Sequence, residues 1–162
     1  MILMIIEKAH KHIEYYIFVD YSEYIIGYNI IETIKLNLIL PKIIRFRHYK
    51  DNRHKKIYLL KIKREIKSSN LSQLLLRQKI LSLKDNLLLF ADVIEFIKSN
   101  CDSLIFISID DNHVRAFSRL LYMLPIKCNL IIRKESELKI NSPEYRMSLI
   151  IDTMLNIERM SK

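Results

Sequence analysis

The chain has 162 residues, half of them hydrophobic and 28% charged, enough for one domain with a genuine core. No apolar run approaches the roughly 20 residues of a membrane span, and a single glycine excludes both the Walker A phosphate loop and the Rossmann dinucleotide fingerprint. With 27 basic residues against 18 acidic ones the formal charge is +9, which favours a polyanionic partner, nucleic acid ahead of a membrane surface, although a Lys- and Ile-rich composition also follows from genome base composition alone.

Met1 to Ile6 is apolar, has no basic residue before it and meets Glu7 and Lys8 at once. That is too short for a signal peptide and predicts a strand or packed arm of an intracellular, cytoplasmic protein. Ile13 to Asp20 reads as a strand ending in a carboxylate, and Tyr24 to Thr33 as its antiparallel hairpin partner, with Gly27 at a bulge or a close approach. After Pro41, the alternating basic and apolar residues of Lys42 to Tyr49 predict a third strand. Arg45 to Lys67 is strongly basic, and Ile57 to Lys67 fits a helix or a further strand. Ser68-Ser69-Asn70 offers a helix N-cap, followed by a helix over Leu71 to Leu83 and a second from about Asp85 to Ser99.

The chain is organised around Leu104 to Ile109, a β-branched and aromatic run that ends in Asp110-Asp111-Asn112-His113. A strand apolar on both faces needs cover on both faces, so it reads as the centre of an α/β sheet. A helix starts at Asn112 or His113 and runs through Leu124 to a stop at Pro125; Lys127 to Arg133 is a further strand; Ser142-Pro143-Glu144 starts a last helix that runs to about Met160. Cys101 and Cys128 both precede parallel strands, at the sheet end opposite the carboxylates. They come within reach of a disulfide, and two buried thiols are the expected state.

The predicted order is three strands, helices, strand, helix, strand, helix, which gives three antiparallel strands followed by two strands in right-handed crossovers. This resembles the RNase H-like fold: an α/β domain over 1–162 with a mixed five-stranded sheet and helices on both faces. The resemblance implies a carboxylate site, with one aspartate from the first strand, one from the end of the fourth, one from the last helix and a fourth acid from the helix before the fourth strand. Asp20, Asp110 and Asp152 stand at the first three positions, and Asp85, Asp92 and Glu95 are candidates for the fourth, Asp85 lying nearest the strand end. More narrowly, the chain is similar to a small RNase H-like family of unknown function with Asp-Glu-Ser-Gly on its first strand and a Leu-Ala-Asp-type core on its last helix. Asp20, Ser22 and Asp152 match; Tyr21, Glu23 and Ile151 depart from the pattern, and its glycine is missing.

Such a site implies Mg²⁺ or Mn²⁺, two ions about 3.5 to 4 Å apart that polarise a phosphoryl group and activate water. Adjacent strand ends suit this, since neighbouring strands lie about 4.8 Å apart. The leading expectation is therefore a metal-dependent nuclease, or a domain derived from one, with Asp20, Asp110 and Asp152 catalytic, the same three with Asp85 holding metal, and Arg45, Arg47, Lys50, Arg53, Lys55 and Lys56 holding DNA or RNA. Two alternatives stand beside it. One is a non-catalytic nucleic-acid-binding module whose strand-end acids are only caps and turns. The other is a PIN-like or Rossmann-like domain, which a parallel first strand pair would favour. Asp111 fits an N-cap as well as a ligand, and His113 suits a helix start or proton transfer.

Overall fold

A computed structural model describes residues 12–124 and 127–161. The apolar start Met1 to Ile6 and Pro125 lie outside the described residues. The elements in chain order are β1 (Ile13–Ser22), β2 (Ile25–Glu32), α1 (Leu36–Ile39), α2 (Lys55–Ser69), α3 (Leu71–Leu74), β3 (Arg77–Ser82), α4 (Asn86–Ser99), β4 (Leu104–Ile109), α5 (Val114–Tyr122), β5 (Asn129–Lys134) and α6 (Pro143–Met160).

The five strands form one mixed sheet in the order β3-β2-β1-β4-β5. The pairs β1/β2 and β2/β3 are antiparallel, and β1/β4 and β4/β5 are parallel. The expected mixed five-stranded sheet is therefore present, and its antiparallel first pair is the opposite of what a PIN-like or Rossmann-like opening requires. One face packs against α6 and the helices inserted between β2 and β3, through Phe18, Phe106, Ile62 and Ile150. The other is covered by α4 and α5 through Ile107, Phe90 and Phe117. The central strands are buried on both faces, as their unbroken apolar runs require.

Two expected elements are corrected. Lys42 to Tyr49 is not a strand: Ile43 and Phe46 are buried three residues apart and the Phe46 amide donates to the Ile43 carbonyl at 3.1 Å, the spacing of a tight helical turn. The third strand is β3, inside the stretch expected as a helix over Leu71 to Leu83. Here only Leu71–Leu74 is helical, and the Leu76 amide then donates to Ile30 at 2.8 Å to begin the pairing with β2. The undecided stretch from Ile57 is helical, with Leu59 and Ile62 turned to the core and its lysines to solvent. Asn70 ends α2 in the left-handed conformation (φ 58°), and its side chain makes no cap hydrogen bond to α3. It therefore serves as a helix stop rather than as the expected N-cap.

Gly27 is a close approach. It pairs with Asp20 on one side and Ile80 on the other, and a Cβ there would lie 3.0 Å from Ile80 Cγ1, 3.1 Å from Leu155 Cδ2 and 3.1 Å from the Lys79 carbonyl. The carbonyl belongs to a paired strand and cannot retreat. Gly27→Ala is expected to lose about 1 to 3 kcal/mol by overpacking, more than the roughly 0.5 to 1 kcal/mol that alanine recovers in backbone entropy; a lower urea midpoint at unchanged slope checks this.

Cys101 and Cys128 do meet at the sheet end away from the carboxylates, but as a disulfide with Cα atoms 4.5 Å apart, not as two thiols. The bridge joins the α4–β4 connection to the approach of β5 across a separation of 27 residues. Loop-closure entropy for that length gives an expected loss of about 3.5 kcal/mol on reduction, which melting with and without dithiothreitol measures.

Candidate active site

β1 and β4 run side by side with Val19 opposite Ile109, so Asp20 and Asp110 emerge next to each other where the pairing ends. The Asp110 amide donates to the Val19 carbonyl at 3.1 Å, extending the ladder by one rung. Both side chains are buried, at 7% and 3% exposure. Asp20 Oδ1 accepts from the Tyr21 amide at 2.8 Å. Asp110 Oδ2 lies 2.7 Å from His113 Nδ1, whose ring packs edge-on against Tyr21 and Phe90. The other oxygen of Asp110 is buried without a hydrogen-bond partner among the described residues.

A third carboxylate joins them that the sequence reasoning missed. Glu135 follows β5 directly, on a single turn Glu135–Glu137, and faces the same cleft. Its place is set by Asp111, which accepts from the Ser136 amide at 3.1 Å and from the Ser136 hydroxyl at 2.6 Å. Asp111 is thus a clamp between the β4 and β5 ends, and the residue at the N-cap position of α5 is His113. The available signal is that β4 and β5 are each followed directly by an acid, Asp110 and Glu135.

Asp152 arrives from α6 and is also buried, with Ser148 and Asn156 of the same stripe, so this face of the helix turns inward and not to solvent. It sits behind the cleft wall and does not line it. Its Oδ2 accepts from the Tyr49 amide at 2.8 Å. His48 stands between it and Glu135, with Nδ1 3.8 Å from Asp152 and Nε2 3.8 Å from Glu135. A polar brace holds α6 in register: Arg159 contacts Ser22, Glu23 and Asn156, and the Ser22 hydroxyl donates to Asn156 at 3.0 Å.

The remaining fourth-acid candidates stay apart. Asp85 ends a turn at the β3 edge, at the same end of the sheet but outside the cleft lining. Asp92 accepts from the Tyr28 hydroxyl and pairs with Lys79 at 3.4 Å; Glu95 pairs with Lys98 at 3.3 Å.

The cleft has a volume of about 420 Å³. Asp20, Asp51, Asp110, Asp111 and Glu135 line it against Lys50 and His48, an acidic floor in a chain of net charge +9. Burial first, then the charges of Glu135, Asp152 and Asp110, push the Asp20 carboxyl well above the usual range. Burial likewise raises Asp110 and Asp152 against the lowering pull of His113 and His48. His48 is raised by the Glu135 carboxylate 3.8 Å away, against burial, with Asp152 adding to it. The site carries more negative charge than its own cations balance.

No family model, curated protein or solved structure matches this chain.

Among the described residues no three metal-ligating groups are already converged on one point. The donor set nevertheless fits a hard divalent cation: oxygen ligands only on the floor, one of them orphaned, and repulsion that a cation would relieve. Of the six expected nucleic-acid contacts, Lys50 alone lines the cleft. Arg45, Arg47, Arg53, Lys55 and Lys56 form an exposed collar on the segment leading into α2 and on its first turn. Tyr49 is flanked there by Lys55 at 5.7 Å and Arg159 at 5.4 Å.

Proposed function

We propose that this domain is a metal-dependent nuclease whose acids act at the C-terminal ends of β1, β4 and β5. The observation that carries the reading is the buried Asp110 Oδ1, without a hydrogen-bond partner among the described residues, beside the buried Asp20. A buried anionic oxygen without a hydrogen bond is costly, and a cation is the ligand that offsets the cost. Mg²⁺ or Mn²⁺, when bound, polarises the phosphoryl group and lowers the pKa of an attacking water.

The chain's own residues do the rest. Asp20, Asp110 and Glu135 provide the oxygen donors; the Tyr21 amide and His113 orient the first two, as outer-shell partners do. Asp152 contributes charge from beneath the His48–Tyr49 turn. Lys50 meets a substrate phosphate at the rim, and the collar from Arg45 to Lys56 tracks the backbone without reading bases. Changing Arg47, Arg53, Lys55 and Lys56 to alanine is expected to reduce the slope of log affinity against log salt by about 0.7 to 0.9 per lost phosphate contact, as filter binding at several salt concentrations measures.

One observation favours a second reading, the non-catalytic module: His48 stands 3.8 Å from both Asp152 and Glu135 and its pKa is raised by them, so that a protonated imidazole offsets their charge without a metal. Mn²⁺ titration followed by electron paramagnetic resonance, with cleavage assays on RNA, single-stranded DNA and hybrids, separates the two. Bound Mn²⁺ and EDTA-sensitive cleavage support the nuclease; nucleic-acid binding without either supports the module.

A further inference from the structure

The cleft has an apolar lip that the phosphodiester reading leaves unused. Beyond the Glu135–Glu137 turn the chain doubles back, the Leu138 amide donating to Glu135 at 3.1 Å and the Ser142 amide to Lys139 at 3.0 Å. Asn141 between them is left-handed, φ 70°, a conformation asparagine tolerates better than most residues. This fixed return presents Leu138 and Ile140 to the cleft, with Tyr145 from the first turn of α6 beside them. Ile140 is 70% exposed. A solitary exposed isoleucine carries no message; one set with a leucine and a tyrosine over an acidic floor forms an apolar face next to a charged one.

We infer that the cleft takes one unpaired nucleotide, its base laid on Leu138, Ile140 and Tyr145 and its phosphate directed to the divalent cation that Asp20, Asp110 and Glu135 would hold, so that the substrate is single-stranded nucleic acid or a single-stranded end. The inference rests on the nuclease reading and narrows it. Two observations favour an unpaired unit over a duplex. The floor is recessed, with Asp20 at 7% and Asp110 at 3% exposure, and a flexible single strand bends into such a recess at less cost than a stiff duplex. The lip offers a base an apolar surface, whereas a duplex presents phosphates, for which Leu138 and Ile140 hold nothing. The volume of about 420 Å³ falls in the size class of small-ligand sites, not of a groove that follows a double helix.

The test uses the whole chain with Mg²⁺ and a single-stranded trinucleotide carrying 2-aminopurine, read by fluorescence, with a short blunt duplex as competitor. Expected are binding of the trinucleotide, competition by the duplex at least about tenfold weaker, and about tenfold weaker binding for Ile140→Glu, with Ile140→Phe restoring or exceeding wild-type affinity. Equal competition by the duplex, or an affinity indifferent to both Ile140 variants, overturns the inference. So does a chain that binds Mn²⁺ but no trinucleotide. The nuclease reading is scored separately, by Mn²⁺ binding and by metal-dependent hydrolysis of bis(p-nitrophenyl) phosphate, which has no base to place on the lip. Its failure and the failure of the single-strand inference are therefore distinct results.

Discussion

Asp20→Asn is expected to remove metal-dependent cleavage while raising the melting temperature of the metal-free protein. Outer-shell partners of a metal site are worth about 10- to 100-fold, so loss of a direct donor should cost on the order of a hundredfold or more. Stability should move the other way. Burial and the charges of Glu135, Asp152 and Asp110 all oppose ionisation of Asp20, and asparagine removes that charge at nearly equal volume. Its side-chain oxygen still accepts from the Tyr21 amide, the 2.8 Å bond that orients Asp20. The paired measurements are cleavage of labelled single-stranded DNA in Mn²⁺ and thermal melting in EDTA. Retained cleavage would remove Asp20 from the metal site. Lost cleavage with a lower melting temperature would make Asp20 a structural residue instead, since a functional acid kept at a cost to folding is relieved by neutralisation.

The legibility of the fold divides by burial. β1, β2, β4 and β5 are read within a few residues of their limits because their apolar runs are β-branched and bounded by polar residues. β3 is an edge strand, with Arg77, Gln78 and Lys79 exposed, and its place comes from backbone pairing with β2 rather than from side chains that prefer a strand. The leucines before it mimic a helix because one turn of helix really is there. Lys42 to Tyr49 failed in the opposite sense: an alternation of charge resembled a strand, while burial at Ile43 and Phe46 follows a turn. Only the third strand is misplaced, so the residues specify the β1/β2 hairpin and the parallel half of the sheet, and not its β3 edge.

The site was legible where strands end and obscure where loops fold back. Asp20 and Asp110 are read from strand ends through the RNase H-like resemblance, and the parallel β1/β4 pairing brings them together. Glu135 required knowing that β5 closes on the same edge, and Asp85 was favoured by helix geometry that ignored which strand the helix follows. Asp152 was placed on the correct helix, but the segment from His48 to Tyr49 that covers it was taken for a strand, so its cover was invisible. The clamp of Asp111 on Ser136 crosses a sequence separation of 25, beyond any local pattern.

Without metal, the protein is expected to lose stability as pH rises from about 4 to 8, the reverse of an ordinary carboxylate pattern. Asp20, Asp110 and Asp152 are each raised in the folded state, burial being the largest cause for all three. A raised folded value means the native state holds protons that the unfolded chain releases near pH 4. The stabilisation is complete below that pH and lost as pH climbs through the raised values. His48, raised by Glu135 against burial, acts in the same direction, its contribution full below about 6.5 and lost above its folded value. Asp111, held low by Ser136, and Asp92, where hydrogen bonds from Tyr28 and Lys79 prevail over burial, work oppositely, but their contributions change only below about pH 4. Mn²⁺ competes with the protons for the same oxygens, so its stabilising effect should grow with pH, reaching about 2.7 kcal/mol at a hundredfold excess over its dissociation constant. For a chain of this size that corresponds to a rise of roughly 5 to 10 °C in melting temperature. Melts at pH 5, 6, 7 and 8, with EDTA or Mn²⁺, read both trends. A metal-free protein that gains stability across this range, with a Mn²⁺ increment that does not depend on pH, would show the buried carboxylates to be satisfied within the fold and leave the orphaned oxygen of Asp110 without a cation to explain it.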